Sequence, residues 1–407
     1  MTEILLSTLV FTALIMALAL IVLGARTVIW GQQRARLNVN GERQIESEIG
    51  AKLLDTLNQS GIHLPTSCSG AGTCGLCRVQ VSGAIGDGAL PLERAQISPD
   101  DIADGYRLAC QMVVRNDFDV TVPPELLGAD HWQCRVKETR NLSPLIKEIV
   151  LELPKGSERS FKAGCYVLID APTFKLAYSD IQIDPEFEPA WGRLGLREIK
   201  SQSHIEQTRA YSLVNRPDVK DALVLNIRLA LPPASNTSAA PGVVSSYLFG
   251  LRVGDTVAAS GPYGNFFVQD TDREMIFIGG GVGMAPLYAH AYDQLVRLGT
   301  TRTIQYWYGA RTVADLYYAD EMEALAAKFE NFTWHPVLSE PDPKSPWNGE
   351  TGFVHEAIYQ HYLQTHPAPQ HCEYYLCGPP LMIQAVRAML EKLGVPQSQI
   401  FSDDFGA

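Results

Sequence analysis

The stretch CSGAGTCGLC, from Cys68 to Cys77, decides how this sequence is interpreted. It contains three cysteines, and a fourth, Cys110, follows far downstream in the stretch YRLACQ. The glycines between Cys68 and Cys77 allow positive φ and a close approach of backbone N–H groups to a bound group. The spacing therefore predicts a metal centre held by one tight loop and one separate strand.

This arrangement of cysteines is typical of a plant-type 2Fe-2S protein, in which three close ligands are joined by a distant fourth. The gap between Cys68 and Cys74 has five residues, whereas the plant pattern has four, and so it resembles the adrenodoxin-like branch. A structural zinc site is the alternative, but its four thiolates usually come as two close pairs. We expect a 2Fe-2S cluster on Cys68, Cys74, Cys77 and Cys110.

Length and composition restrict the classes of protein. A chain of 407 residues is long enough for roughly two to four domains. The net charge of -12, with no long basic run, argues against a nucleic-acid partner. The remaining four cysteines are scattered, which indicates buried thiols in a reducing compartment and no disulfide framework. They are Cys134, Cys165, Cys372 and Cys377.

The N-terminal segment from Ile4 to Ala25 carries no charge and is long enough to cross the ~30 Å hydrocarbon core as a helix. Arginines follow this segment, and Glu3 precedes it. The positive-inside rule then predicts a single-pass anchor with a periplasmic N-terminus and a cytoplasmic body. A cleaved signal peptide or a buried helix is the alternative, although a signal peptide needs positive charge before its apolar run.

The segment from Leu37 to Leu127 opens with the pattern of a β-grasp ferredoxin. Two strands flank a turn around Asn40 and Gly41, and a helix through Leu53, Leu54 and Leu57 follows. This segment also contains the four cysteines. We expect it to fold as the 2Fe-2S ferredoxin domain.

The stretch Arg209-Ala-Tyr211-Ser212 resembles the R-x-Y-S signature of the ferredoxin-NADP reductase superfamily. The resemblance implies an antiparallel β-barrel on which a flavin lies. Arg209 would neutralise the flavin pyrophosphate, Tyr211 would pack on the isoalloxazine, and Ser212 would hydrogen-bond near the flavin N5. An ordinary strand with one exposed arginine is the alternative.

Two downstream stretches support a flavin domain. Gly242, Ser245 and Ser246 lie where the superfamily begins a helix whose N-terminus binds the pyrophosphate, and this favours FAD over FMN. The stretch Gly261-Pro-Tyr-Gly264 matches the superfamily's barrel closure.

A buried strand, a glycine loop and a helix then predict a doubly wound α/β domain for a dinucleotide. The residues of this loop are Gly279, Gly280, Gly281, Gly283 and Pro286. The strand IQYWYGAR ends near Arg311 and Thr312, and Asp315 and Glu321 follow. An NADPH site would usually offer more basic groups here, so this stretch favours NADH, although Arg311 keeps NADPH open.

Near the C-terminus, Cys377, Gly378 and Pro379 match the superfamily's C-G-P-P-x-M turn. The resemblance implies that the Cys377 thiol lies beside the nicotinamide C4, and that the terminal aromatic Phe405 covers the flavin. A small buried thiol is the alternative for Cys377. Asp403 and Asp404 are interpreted as solvated tail charges. The expected catalytic residues are Ser212, Cys377 and Phe405.

Over its full length the sequence resembles the family of F subunits of bacterial Na+-translocating NADH:quinone reductases (Na+-NQR), members of the ferredoxin-NADP reductase superfamily with an N-terminal 2Fe-2S ferredoxin domain. The expected division is an anchor and linker at 1–35, a ferredoxin domain at 36–130, an FAD-binding barrel at 131–270 and an NADH-binding domain at 271–407. A segment at 173–207 is expected as an insertion that lengthens the barrel.

The resemblance implies an inner-membrane oxidoreductase that works with other subunits of a respiratory complex. Hydride would pass from NADH to FAD, and single electrons would pass to the 2Fe-2S cluster and on toward ubiquinone, coupled elsewhere to Na+ export. Two alternatives stay open. One is a membrane-anchored NADH-dependent reductase component of an oxygenase, and the other is a non-catalytic iron-sulfur redox adaptor.

Overall fold

The computed structural model describes residues 11–18, 34–66, 70–73, 75–83, 88–123, 126–127, 129–232, 240–264, 266–343 and 347–404. Its internal contacts divide the chain into two compact units. The first unit comprises 1–64 and 70–127, and the second comprises 65–69 and 128–407.

The N-terminal segment is described at residues 11–18, which form a helix (α1) whose side chains are all exposed. The rest of the expected membrane helix at 4–25 lies outside the described residues. Within the described part of the chain, no helix combines the length and apolar character needed to cross a membrane.

The first unit contains a five-stranded sheet with short helices around it. In chain order its elements are β1 (Arg34–Val39), β2 (Arg43–Glu48), α2 (Leu53–Gln59), β3 (Arg78–Gly83), α3 (Pro91–Gln96), α4 (Pro99–Ala103), β4 (Tyr106–Leu108) and β5 (Phe118–Thr121). The strand order is β2-β1-β5-β3-β4, with β1 and β5 parallel and the other neighbours antiparallel.

The hairpin between β1 and β2 turns at Asn40 and Gly41, which both have positive φ (51° and 73°), as a type I′ turn requires. Helix α2 buries Leu53 and Leu57 completely, and burial of one leucine side chain contributes roughly 1.5–3 kcal/mol. The predicted order of strand, turn, strand and helix is confirmed.

The second unit begins with an antiparallel sheet. Its elements are β6 (Asp130–Ser143), β7 (Ile146–Glu152), β8 (Tyr166–Ala171), β9 (Phe174–Ala177), α5 (Glu188–Arg193), β10 (Lys200–Ser203), β11 (Gln207–Ser212), β12 (Ala222–Arg228), α6 (Val243–Gly250) and β13 (Thr256–Tyr263). Six strands pair in the order β11-β8-β13-β6-β7-β12. Leu213, just beyond the edge strand β11, bridges Leu225 of the other edge strand, β12, so the sheet curls into a half-barrel around a core of buried apolar side chains.

The segment 173–207 does not lengthen this half-barrel, and that expectation is wrong. Its strands β9 and β10 pair with each other in a separate two-stranded sheet. The large aromatic residues Tyr178 and Trp191 are fully buried in the half-barrel core, so the segment packs inward against the sheet and does not extend it.

The remainder of the second unit is a parallel six-stranded sheet with helices on both faces. Its elements are β14 (Met275–Gly280), α7 (Met284–Tyr292), β15 (Ile304–Ala310), α8 (Ala319–Lys328), β16 (Phe332–Leu338), β17 (Glu350–Thr351), α9 (Val354–His361), β18 (Glu373–Gly378), α10 (Pro380–Lys392) and β19 (Ile400–Asp404). The order β17-β16-β15-β14-β18-β19 reverses at β14. In such sheets a ligand binds at the carboxyl ends of the strands beside the reversal, which confirms the predicted doubly wound architecture and indicates its ligand edge.

Candidate active site and cluster site

Two of the four predicted cluster ligands, Cys77 and Cys110, are described, and they lie together in the first unit. Their relative exposures are 0% and 4%. A hydrogen bond from the Cys77 side chain is the largest cause of a lowered pKa of the Cys110 thiol, and Gln111 adds to it. The Gln111 amide donates to Cys110 Sγ at 3.4 Å and to the Gly70 carbonyl at 3.0 Å. Cys68 and Cys74 lie outside the described residues.

The loop around these cysteines needs its glycines. Gly70, Gly72 and Gly75 all have positive φ (84°, 81° and 69°), which confirms the predicted backbone freedom. A Cβ on Gly72 would lie 2.8 Å from the Gln111 side-chain nitrogen. An iron-sulfur cluster requires deprotonated cysteines. The two buried, neighbouring thiols beside a tight glycine loop fit such a cluster, because the pKa of the Cys110 thiol is lowered.

The R-x-Y-S residues lie on β11, at the edge of the half-barrel sheet. Arg209 is half-buried, and its guanidinium donates to the Thr208 carbonyl at 2.7 Å. Tyr211 packs against the half-barrel core, and desolvation by burial raises the pKa of its phenol. Ser212 is buried. An edge strand with a cation, an aromatic ring and a hydroxyl in sequence fits a flavin that lies along its open side.

Helix α6 contacts β11, and its N-cap is Gly242. A Cβ on Gly242 would lie 2.6 Å from Ala230 Cβ, so a glycine is required there. The first amides of a helix have no intrahelical acceptor and favour an anion such as a pyrophosphate. The hydroxyls of Ser245 and Ser246 both donate to the Gly242 carbonyl, at 3.0 and 2.6 Å, and so stabilise this turn.

The glycine loop after β14 and the turn after β18 pack backbone to backbone. A Cβ on Gly283 would lie 2.0 Å from the Cys377 carbonyl oxygen, and one on Gly378 would lie 2.8 Å from the Gly280 oxygen. The hydroxyls of Tyr308 and Tyr317 each donate to the Gly281 carbonyl at 2.9 Å. This packing keeps side chains away from the ligand edge of the sheet and fits a dinucleotide.

The other predicted residues near this loop are also located. Gly279 is the penultimate residue of β14 and pairs in register with Cys377, Pro286 is buried in the first turn of α7, and Pro379 is the N-cap of α10. The Cys377 side chain is fully buried in the core on the α7 face of the sheet. Phe405 lies outside the described residues.

The interpretation of Asp403 as a solvated tail charge is wrong. Its carboxylate accepts a 2.7 Å hydrogen bond from the Ser212 hydroxyl. Asp403 also pairs in register with Cys377 across β18 and β19. The structure therefore brings Ser212, Cys377 and Asp403 together at the ligand edge. The sequence IFSDD could have predicted this position of Asp403. Its apolar start followed by acidic residues is typical of a strand whose polar end lies at the ligand edge of the sheet.

Arg311, the basic residue just after β15, is paired with an acidic residue that follows β16. Arg311 forms a 2.8 Å ion pair with Glu340, and both side chains are largely exposed. The Thr312 hydroxyl donates to Asp315 at 2.9 Å. Because the Glu340 carboxylate already pairs with Arg311, it disfavours the binding of a second anionic group there, such as a ribose 2′-phosphate.

A polar cluster lies at the opposite edge of the parallel sheet, where β14 and β18 begin. His366 Nε2 lies 3.1 Å from Glu274, and the Cys372 thiol lies 3.8 Å from both. The Ala368 amide donates to His366 Nδ1 at 3.2 Å, so in the neutral imidazole the proton lies on Nε2, where a metal would have to bind. Burial raises the pKa of the Cys372 thiol to about 12. The cluster is therefore interpreted as a satisfied structural group.

Three family models match the chain in sequence. The 2Fe-2S iron-sulfur cluster binding domain matches residues 37–115. The oxidoreductase FAD-binding domain matches 197–268, and the oxidoreductase NAD-binding domain matches 277–388. The chain therefore contains domains of the types that bind all three predicted groups.

Solved structures of similar fold span most of the chain. The Amycolatopsis cytochrome P450 reductase GcoB is 26% identical, with a TM-score of 0.62, and the match covers 91% of this chain and 98% of that one. A ferredoxin reductase in carbazole 1,9a-dioxygenase is 23% identical, with a TM-score of 0.58 and coverages of 92% and 98%. The second likeness supports the fold alone.

Curated relatives match more closely and over the whole length. The F subunit of the Na(+)-translocating NADH-quinone reductase of Neisseria meningitidis is 44% identical over 404 residues, or 99% of this chain and 100% of that protein. The Methylococcus capsulatus protein of the same name is 44% identical over 407 residues, the whole of both chains. The chain belongs to the family of Na+-translocating NADH-quinone reductase F subunits.

Proposed function

We propose that this chain is the NADH-oxidising subunit of a membrane-bound Na+-translocating NADH:quinone reductase. It takes electrons from NADH through FAD and a 2Fe-2S cluster and passes them to other subunits toward ubiquinone, coupled elsewhere to Na+ export. The full-length match to F subunits, at 44% identity, carries this proposal. The domains are proposed to divide at 36–130, 131–270 and 271–407, after an N-terminal segment at 1–35.

Bound FAD would supply a carrier that accepts electrons as a pair and releases them singly, and a 2Fe-2S cluster would supply a one-electron site. The chain's own residues bind and orient these groups. Arg209 and the amide groups at the N-terminus of α6 offer positive potential to the two phosphates. Tyr211 provides an aromatic surface for the flavin ring, and the Ser212 hydroxyl is held in one direction by Asp403.

The glycines of the loop after β14 have no side chains, so backbone amides are left at the ligand edge of the sheet. Gly279, Gly280, Gly281 and Gly283 are proposed to receive the NADH pyrophosphate, with Pro286 in the first turn of the following helix. Gly378 and Pro379 shape the opposite wall of the crevice. Cys377 is proposed to orient the nicotinamide, and Phe405 to cover the flavin when no nicotinamide is bound.

The cluster ligands are proposed to be Cys68, Cys74, Cys77 and Cys110. Cys77 and Cys110 support this because their thiols are buried in mutual contact, where a lowered pKa of the Cys110 thiol favours the thiolate that iron needs. The segment 4–25 is proposed to be a single anchor in the bacterial inner membrane, with the catalytic body on the cytoplasmic side.

A second candidate function is that of a reductase serving an oxygenase, since the solved structure that is 26% identical over 91% of this chain is named a cytochrome P450 reductase. The relatives at 44% identity favour the quinone reductase. Purification from membranes distinguishes the two. Recovery of quinone reductase subunits with the chain supports our proposal, and recovery of an oxygenase component contradicts it.

The central experiment is an anaerobic NADH titration of the full chain, followed by UV-visible and EPR spectroscopy. We expect rapid flavin bleaching and the EPR signal of a reduced 2Fe-2S cluster. The Cys110→Ser variant should lose the EPR signal and retain flavin bleaching, because its altered ligand lies outside the flavin unit. Bleaching that takes minutes in the parent chain would favour the non-catalytic adaptor.

A further inference from the structure

The segment 173–207 packs against helix α6 and holds it from several directions. We infer that this segment is a clamp that positions α6 for the flavin pyrophosphate, with Tyr178 as its principal positioning residue. The inference rests on the proposed binding of FAD at the N-terminus of α6. It assigns a role to the segment and to four residues outside the motifs that hold the cofactors: Tyr178, Trp191, Lys147 and Arg197.

Tyr178 acts on the first turn of α6 through Ser246. Its side chain is fully buried, and its hydroxyl lies 2.7 Å from Ser246 Oγ. The Ser246 hydroxyl has one proton, and it donates that proton to the Gly242 carbonyl at 2.6 Å. Tyr178 is therefore the donor to Ser246. Burial also raises the pKa of the Tyr178 phenol, so the donor proton is retained.

Trp191 anchors the clamp to the half-barrel and to the far part of α6. Its indole N–H donates to the Pro144 carbonyl at 2.7 Å. Its ring stacks on Phe249 of α6, with centroids 6.5 Å apart and planes 23° apart, and lies 6.1 Å from the Tyr178 ring. The Arg197 guanidinium lies over Trp191 and donates to the Tyr178 carbonyl at 2.8 Å. Tyr178 is thus fixed at both its backbone and its ring.

Lys147 joins the clamp to the C-terminal end of α6. Its buried ammonium donates to the Phe249 carbonyl at 2.7 Å and to the Gln182 carbonyl of the segment at 3.3 Å. A cation at a helix C-terminus stabilises the last carbonyl groups. Helix α6 is therefore fixed at its first turn by Tyr178 and at its last turn by Lys147 together with the segment.

The N-terminal amides of α6 are proposed to bind the phosphates of FAD. Such a site depends on the position of backbone donors, which cannot rotate independently to recover a lost contact. Loss of the Tyr178 hydroxyl leaves the ring and its packing in place but releases Ser246 from its second hydrogen bond. The expected effect is weaker retention of FAD without loss of the fold.

The test is the rate at which FAD leaves the full-length holoprotein after dilution, followed by the fluorescence of released flavin. Tyr178→Phe should release FAD about threefold to tenfold faster than the parent chain, the factor expected for one intramolecular hydrogen bond. The matched control is Tyr374→Phe, because Tyr374 is equally buried and its hydroxyl donates to Pro369, outside the flavin site. The control should release FAD at the parent rate.

A double variant distinguishes positioning from general loosening. If Tyr178 acts through Ser246, Tyr178→Phe should add no further acceleration in a Ser246→Ala background. An unchanged release rate in the single variant, or an equal additional factor in the double variant, would overturn the inference. NADH reduction of the bound flavin is measured separately, so failure of the proposed dehydrogenase activity is distinguishable from failure of the clamp.

Discussion

The Ser212 hydroxyl donates a 2.7 Å hydrogen bond to the carboxylate of Asp403, a residue 191 positions further along the chain. This contact ties β19, the last strand of the parallel sheet, to the strand that carries Arg209 and Tyr211. It also fixes the direction of the Ser212 proton, so that the lone pairs of Oγ face away from Asp403. A hydroxyl oriented in this way can accept a hydrogen bond from a flavin group at the same edge.

Asp403→Asn should slow the reduction of bound flavin by NADH about tenfold, because an asparagine amide can donate to Ser212 and reverse the hydrogen bond. Stopped-flow absorbance at saturating NADH measures this rate, and the dependence on NADH concentration gives its affinity. We expect the affinity for NADH to change little, since Asp403 hydrogen-bonds to Ser212, a residue proposed to contact the flavin. Asp218→Asn, a change at an exposed aspartate, is the control. Equal rates in both variants would contradict a role for the contact.

Gly283→Ala should abolish NADH binding, because the new Cβ would lie 2.0 Å from the Cys377 carbonyl oxygen. Backbone atoms on both sides cannot move apart without separating the glycine loop from the turn after β18. Gly192→Ala is the control, since a Cβ there meets no atom within 4 Å. Isothermal titration with NADH measures the loss, and FAD content shows whether the half-barrel is intact. Normal NADH affinity in Gly283→Ala would contradict the assigned packing.

Local sequence patterns predict the parts of this molecule that depend on local constraints. Asn40 and Gly41 indicate a hairpin because few residues tolerate their φ values. The strand, glycine loop and helix at 275–292 were predictable for the same reason. Their geometry is encoded within a short window of sequence.

Contacts between distant segments were not predictable in this way. Asp403 resembles any charged tail residue until β19 is aligned beside β18, and Tyr178 resembles any aromatic residue in an insertion until it meets Ser246. The segment 173–207 was expected to lengthen the barrel as an insertion between two of its strands. Which partner a strand chooses depends on tertiary packing, which propensity does not encode.

Glu340→Ala should raise the efficiency of NADPH as a substrate about threefold to tenfold, because it releases Arg311 from its ion pair and removes a negative charge beside the proposed ribose site. The measurement is kcat/KM for NADPH and for NADH at low salt. Glu330→Ala removes the same charge from a position elsewhere and should change neither value. The gain should vanish in the Arg311→Ala, Glu340→Ala double variant. If the gain persists there, Arg311 is not the group that binds the phosphate.

His290 should make the nucleotide domain sensitive to acid. Its side chain is 1% exposed, lies among the rings of Phe266, Phe277 and Tyr375, and its Nε2 has no hydrogen-bond partner in the described part of the chain. Desolvation lowers the pKa of His290 to about 4, against a usual value of 6.5. Between pH 6.5 and pH 4 the unfolded chain binds a proton that the folded chain does not. Stability therefore falls as pH falls through this window, by up to about 3 kcal/mol.

The His290→Asn variant should lose this part of the acid sensitivity, because it has no imidazole to protonate. Thermal unfolding followed by tryptophan fluorescence, from pH 7 to pH 4.5, measures the effect as the difference in Tm between variant and parent. The parent should lose more Tm than the variant as pH falls, and the exposed-residue control His371→Gln should follow the parent. Parallel curves for parent and His290→Asn would mean that the buried imidazole accepts its proton at the usual pH, and that its surroundings are more polar than the described packing.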